Sequence, residues 1–280
     1  MANTLSNLLP DMYEALDVVS REMTGFIPAV NRNSDVARAA IGQTVYVPET
    51  EVPTGANNTP GVTAPDTGDS TVNGIPVAIT KSKHWPVRWA GEETKGLQNA
   101  GTFSTIQADR FYQAMRAAVN EIEIDLWGEA YKNSSRAYGT AGTTPFATAA
   151  DMTDFAGTLR ILEENGAPKN DLQLVLGHSA IGNLRGKQSG LFKVNEAGSS
   201  DMLRNGMTDR IMSMALRHSD AVAVHTKGTG ASYLLNKSGG GLVGDTTIPA
   251  DGGSGPILAG DVVTFAGTTD KYVVNTALAA

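Results

Sequence analysis

"STIQADRFYQAMRAAVNEIEIDLWGEAYK" runs from Ser104 to Lys132 and carries the clearest helical periodicity in the chain. Phe111, Met115, Val119, Ile122, Leu126 and Ala130 recur at steps of three and four, which sets them on one side of a helix. Asp109, Arg110, Arg116, Glu121, Glu123 and Asp125 fill other positions. Ser104 and Gln107 stand at the spacing of a capping box, where a hydroxyl takes a free backbone N–H and the amide reaches back. At 1.5 Å per residue this helix is about 40 Å long, well above the usual length. One apolar stripe implies one packed face. The charged face, Glu123 included, is left for solvent or a partner.

Upstream lies "YVPETEVPTGANNTPGVTAPDTGDSTVNGIPVAI", Tyr46 to Ile79, between a short apolar run (Thr44 to Val47) and a strand-like run (Ile75 to Trp89). Compact domains rarely carry so long a connection without structure of its own. Six of the twelve prolines fall between Pro48 and Pro86. Proline removes backbone donors and stiffens strand ends, which discourages edge aggregation. The Thr, Asn, Asp and Gly tip has no apolar surface to bury. The segment therefore reads as an extended hairpin whose use is to reach a neighbour, with a tip expected to be poorly ordered in an isolated subunit. Lys81, Lys83 and Arg88 form a basic group in the run that follows, matched best by a partner's acidic face. The adjacent carboxylates Glu92 and Glu93, like Glu163 and Glu164, point in different directions. They are poor acid/base pairs and read as solvated or intersubunit ion-pair groups. Leu9 to Met23 reads as an amphipathic helix ended by Gly25 and Pro28, packed on its own domain or serving as an arm on a neighbour.

Downstream, "TAADMTDFAGTLRILEENGAPKN" is a second helix with Met152, Phe155, Leu159 and Leu162 on its face, stopped by Gly166 and Pro168. "LQLVLG" reads as a buried strand and "SAIGNLRG" as a short helix capped by Ser179. "RIMSMALRHS" and "AVAVHT" read as further strands. After Lys227 the chain holds 11 of its 31 glycines. Short runs such as "SYLLN", "DVVTFAG" and "KYVVN" alternate there with turns, the pattern of a separate all-β module.

Composition narrows the chemistry. With 280 residues, 41% hydrophobic and 18% charged, the chain can build a sizeable core. A net charge of −7 argues against a nonspecific nucleic-acid binder, but not against a shell that only encloses nucleic acid. The absence of cysteine excludes disulfides and thiolate metal sites. No segment reaches the roughly 18 apolar residues that span a membrane, and the first residues lack the basic start and apolar core of a signal peptide. "LVLGHSAIG" approaches a nucleophile elbow, but Ile181 stands where the motif needs glycine, so Ser179 is better explained as a cap than as a catalytic serine. Gly239, Gly241 and Gly244 fit G-x-G-x-x-G without the helix that a dinucleotide site needs. His84, His178, His218 and His225 show no metal-ligand spacing. No catalytic, cofactor or metal residue is therefore assigned.

"PDMYEALDVVSREMTGFIPAV", "SRAYGTAGTTPF", "ILEENGAPKNDLQLVLG" and "ILAGDVVTFAGTTDKYVV", together with the order of elements, resemble the major capsid (coat) proteins of tailed bacteriophages. The likeness is nearest to short-tailed-phage coat proteins with an inserted β-domain. That resemblance implies an α+β capsid fold: an N-terminal arm (1–40), an extended hairpin loop (41–100), a spine helix and peripheral region (101–140), an axial α/β domain (141–226) and a Gly-rich β insertion domain (227–280). Such proteins normally continue past the insertion, and this sequence stops within it, which implies a fragment or a member with a shortened end. The implied role is self-assembly, as hexamers and pentamers, into an icosahedral virion shell formed in the host cytoplasm. Its expected partners are further copies of itself, scaffolding and portal proteins, and packaged DNA held only by weak contact; no membrane and no cofactor are implied. Lys81, Lys83, Arg88, Glu92, Glu93 and Glu123 are the candidate intersubunit contacts. A bacterial nanocompartment shell would share the architecture, and a serine hydrolase using Ser179 is the alternative of another class.

Overall fold

The computed structural model describes residues 24–31, 40–50, 72–88, 103–148, 152–186, 209–237 and 244–278, with single positions between them. The amphipathic segment Leu9 to Met23, most of the hairpin tip, and Glu92 and Glu93 lie outside these residues. The chain divides into two compact units, Asn31–Pro86 on the one hand and Met1–Val30 with Val87–Ala280 on the other.

The smaller unit is a two-stranded antiparallel ribbon, β1 (Thr44–Thr50) with β2 (Val72–Ala78). Its register pairs Val45 with Val77, Val47 with Ile75 and Tyr46 with Pro76. Val45, Val47, Ile75 and Val77 therefore share one face and Tyr46 lies on the other. None of the unit's described residues is buried. Tyr46 is 67% exposed, and Val47, Ile75 and Val77 are exposed as well. The strand-like run expected to continue to Trp89 ends at Ala78. A two-stranded hairpin alone is at best marginally stable in water, so this one carries apolar surface that its own unit leaves uncovered.

The larger unit is built along α1 (Phe103–Lys132), 30 residues long and so about 45 Å at 1.5 Å per residue. The helix starts at Phe103, which puts Ser104 inside the first turn and not at the capping position. Next come α2 (Thr153–Glu164), β3 (Gln173–Leu176) and α3 (His178–Gly186). Gly166 takes the left-handed conformation (φ +71°) expected of a helix stop. Ser179 is again within its helix, since His178 is the first residue of α3 and the Ile181 N–H donates to Gly177. β4 (Arg210–Ile211) and β5 (Met214–His218) form a hairpin across Met212 and Ser213, both with positive φ (49° and 67°). That is the geometry of a two-residue I′ turn made without glycine. The sheet order is β3-β5-β4, with β3 parallel to β5. Phe155, wholly buried, stacks on Phe146 at 4.3 Å and packs with Leu176, Ala180, Ile181, Leu184, Met214 and Leu216. This core joins α2, α3 and the sheet.

"AVAVHT" forms no strand, and Val224 is 95% exposed. Among the described residues no strand pairs with it. Beyond it lie two short hairpins, β6 (Leu234–Leu235) with β7 (Ala250–Asp251) and β8 (Val262–Thr264) with β9 (Lys271–Val273). β9 also meets the segment that leaves α1. Tyr272 bridges to Arg136, the Ala137 N–H donates to Lys271, and the Val273 N–H donates to Ser135. The glycine-rich segment is thus tied back onto the end of the long helix.

Candidate functional site

The buried face of α1 carries a carboxylate. Glu123 is only 4% exposed. The backbone N–H groups of Gly25, Phe26 and Ile27 donate to it at 3.2, 3.0 and 2.8 Å, and the Ser219 hydroxyl donates at 2.7 Å. Successive N–H groups turned toward one anion form a concave nest for negative charge. Ser219, fully buried just past β5, in turn accepts the Ala221 N–H. One side chain therefore ties together the turn at 24–30, the middle of α1 and the end of β5. Gly25 is required by the closeness of this junction, because a Cβ there would lie 2.8–2.9 Å from Ser219, Val175 and the His218 backbone. The expectation that Glu123 faces solvent or another subunit is corrected. Its partners lie nearly a hundred residues away in sequence, where no local pattern shows them. Ile122 of the apolar stripe and its neighbour Ile124 (57% exposed), flanking Glu123, take the outer side, while Phe111, Met115, Val119 and Leu126 of the stripe are half-buried.

From Glu123 an aromatic row runs along the same face at steps of four residues. Phe26 meets Trp127 at 6.0 Å, Trp127 meets Tyr131 at 5.0 Å, and Tyr131 meets His225 at 5.2 Å between ring centroids. The row ends at a second buried carboxylate. Asp261 lies 2.8 Å from His225 Nε2 and accepts the N–H groups of Gly228 and Leu258 at 3.0 and 2.8 Å. Burial raises its pKa, but the hydrogen bonds from Leu258, His225 and Gly228 and the His225 charge outweigh burial, and the net shift is downward. Gly260 lets the chain pass here, since any Cβ would fall into the Tyr131 ring. α1 is thus fastened at Glu123 and at Tyr131, by groups from both ends of the chain.

Of the candidate contacts, Lys81 and Lys83 lie exposed beyond β2 in the hairpin unit. Arg88 is exposed in the other unit, and its carbonyl accepts from Arg110 at 3.5 Å. Glu163 and Glu164 make ion pairs within the chain. Glu163 meets Lys169 at 3.0 Å, and Glu164 meets Arg136 at 2.6 Å. The Ser179 hydroxyl has no histidine or carboxylate partner among the described residues.

The fold also joins two histidines that spacing left apart. His178 Nδ1 and His218 Nε2 are 2.9 Å apart, and His178 Nε2 is 2.7 Å from Asp220. Burial lowers the pKa of His218, the charge of His178 lowers it further, Asp220 opposes, and Arg185 adds a smaller lowering.

No family model matches the chain, and no curated protein matches it in sequence. In fold it is similar to a chain from Mycobacterium phage Che8, with a TM-score of 0.50 and 12% identity over 89% of this chain and 84% of that one. The likeness at this identity is one of fold: a mixed α+β chain with one long helix and small sheets. No helix among the described residues is long and apolar enough to cross a membrane.

Proposed function

We propose that this chain is a shell-forming structural protein, the major capsid subunit of a tailed phage. The observation that carries the reading is the β1–β2 ribbon. It presents Tyr46, Val47, Ile75 and Val77 to solvent in a unit without a buried residue among those described, a surface that makes sense when a second copy covers it. The near-full-length fold likeness to a phage chain supports the same reading, as does the rigid spine fastened at two buried carboxylates. Head-to-tail contacts of this kind close into rings when the rotation permits. Lys81, Lys83 and Arg88 are exposed charges suited to the rim of such contacts. A shell needs no catalytic group, and the acidic chain encloses nucleic acid without gripping it. Val47→Asp and Ile75→Asp test the reading. Both sites are exposed, so thermal melts should stay near wild type, while sedimentation should show assembly lost. Assembly at wild-type level in both variants would remove the ribbon from the contact.

A further inference from the structure

Leu176 of β3 pairs with His218 of β5, and the two parallel strands end side by side. The chain leaves β3 through Gly177 into α3, whose first residue is His178, and leaves β5 through Ser219 to Asp220. His178, His218 and Asp220 thereby gather beyond the carboxyl ends of adjacent parallel strands, where open α/β sheets place their ligands. Their ligand atoms all lie within 4.8 Å of one another, and no other such group of three exists among the described residues.

We propose that this edge is a divalent transition-metal site, with the His178 and His218 imidazoles as ligands and the Asp220 carboxylate orienting the His178 ring. Imidazole suits zinc, copper and nickel. Two nitrogens 2.9 Å apart need only a small opening to share one ion at about 2.0–2.1 Å from each. His178 stands between its two neighbours and uses both ring nitrogens. Its Nε2–H donates to Asp220 at 2.7 Å, which leaves Nδ1 as the lone pair turned toward His218. A carboxylate behind a ligating histidine in this way fixes the tautomer and raises the ligand's basicity. His218, when neutral, moves its proton from Nε2 to Nδ1 by exchange with solvent, and both facing nitrogens then offer lone pairs with no net change of charge. The rings meet edge to face at 4.5 Å, and the His178 ring is largely exposed, so the opening lies toward solvent. His178 and Asp220 are more than half exposed, which leaves the ion's remaining positions to water or to a donor from another molecule.

The test is titration of the purified full chain with Zn²⁺ and with Ni²⁺ by calorimetry, and with Co²⁺ by its visible spectrum. We expect one saturable ion per chain, lost in His178→Ala and in His218→Ala and about 10–100-fold weaker in Asp220→Asn. The ion should also raise the melting temperature of the wild type but not that of His178→Ala. His178 is exposed, so that variant should keep its fold; His218→Gln serves if His218→Ala does not. The absence of saturable binding to wild type, or wild-type affinity in either histidine variant, would overturn the site. Wild-type affinity in Asp220→Asn would overturn the orienting role of the carboxylate.

Discussion

At Glu123 three backbone N–H groups and one hydroxyl converge on a single carboxylate, and removing it takes away a shared acceptor from donors that include the buried N–H groups of Gly25 and Phe26 and the Ser219 hydroxyl. Hydrogen bonds to charged groups contribute about 1.5–3 kcal/mol each, and an unsatisfied buried donor costs about 1–3 kcal/mol. Glu123→Ala should therefore lose at least about 3 kcal/mol, read as a shift of the denaturant midpoint. Glu123→Lys should do worse, because it turns a cation toward donors. Ile124→Ser, one position along on the outer side, should stay within about 0.5 kcal/mol of wild type. Equal melts for Glu123→Ala and Ile124→Ser would mean that the nest contributes nothing. Asp261 gives the pH-dependent counterpart. Its folded pKa lies below the ordinary 3.8, so it binds its proton less readily folded than unfolded. The stability this contributes is present above pH 3.8 and is lost as the pH falls through the folded value. In denaturation series from about pH 5 downward, below the ordinary histidine range, the gap between wild type and Asp261→Asn should close below about pH 4. A gap that widens as the pH falls through this range would contradict the assignment.

Among the elements, the row Phe26–Trp127–Tyr131–His225 connects the two carboxylates along one face of α1. Removing a large buried aromatic ring costs about 3–5 kcal/mol, and Trp127, half-buried, should fall at the low end. Because the row touches both junctions, Trp127→Ala should speed hydrogen exchange at the amides of Gly25 to Ile27 and also at Gly228 and Leu258. Faster exchange at one junction alone would show that the row does not couple them. These elements also mark what sequence shows. α1, α2, β3 and α3 were legible because their periodicity and the stop at Gly166 are local. The run Arg210–Ser219 reads as one strand, and the structure breaks it at Met212 and Ser213 into β4 and β5, since neither residue carries a turn signal. The place of Glu123 on the buried face of α1 is not legible, because it is charged and its donors come from Gly25–Ile27 and Ser219, distant in sequence. "AVAVHT" has strand-like alternation, yet alternation cannot show whether a partner strand lies beside it, and none does among the described residues. His178 and His218 were invisible as a pair because parallel strand pairing, and not spacing, brings them together.

In the whole molecule, the larger unit holds a spine fixed internally at Glu123 and Asp261, and the smaller unit holds a ribbon whose apolar faces are uncovered. If the chain assembles as proposed, folding and assembly rest on different residues. Substitutions at Glu123 or Trp127 should lower the yield of folded chain. Substitutions at Val47 or Ile75 should leave folding intact and act only when chains meet. Electron microscopy of the purified full chain over a range of concentrations decides whether the chain builds a shell. Closed shells are expected, or the rings and sheets that the same head-to-tail contact builds, with the ribbon of one copy lying on the next. A folded chain that stays monomeric at the highest concentrations, with the ribbon free, would rule the shell role out.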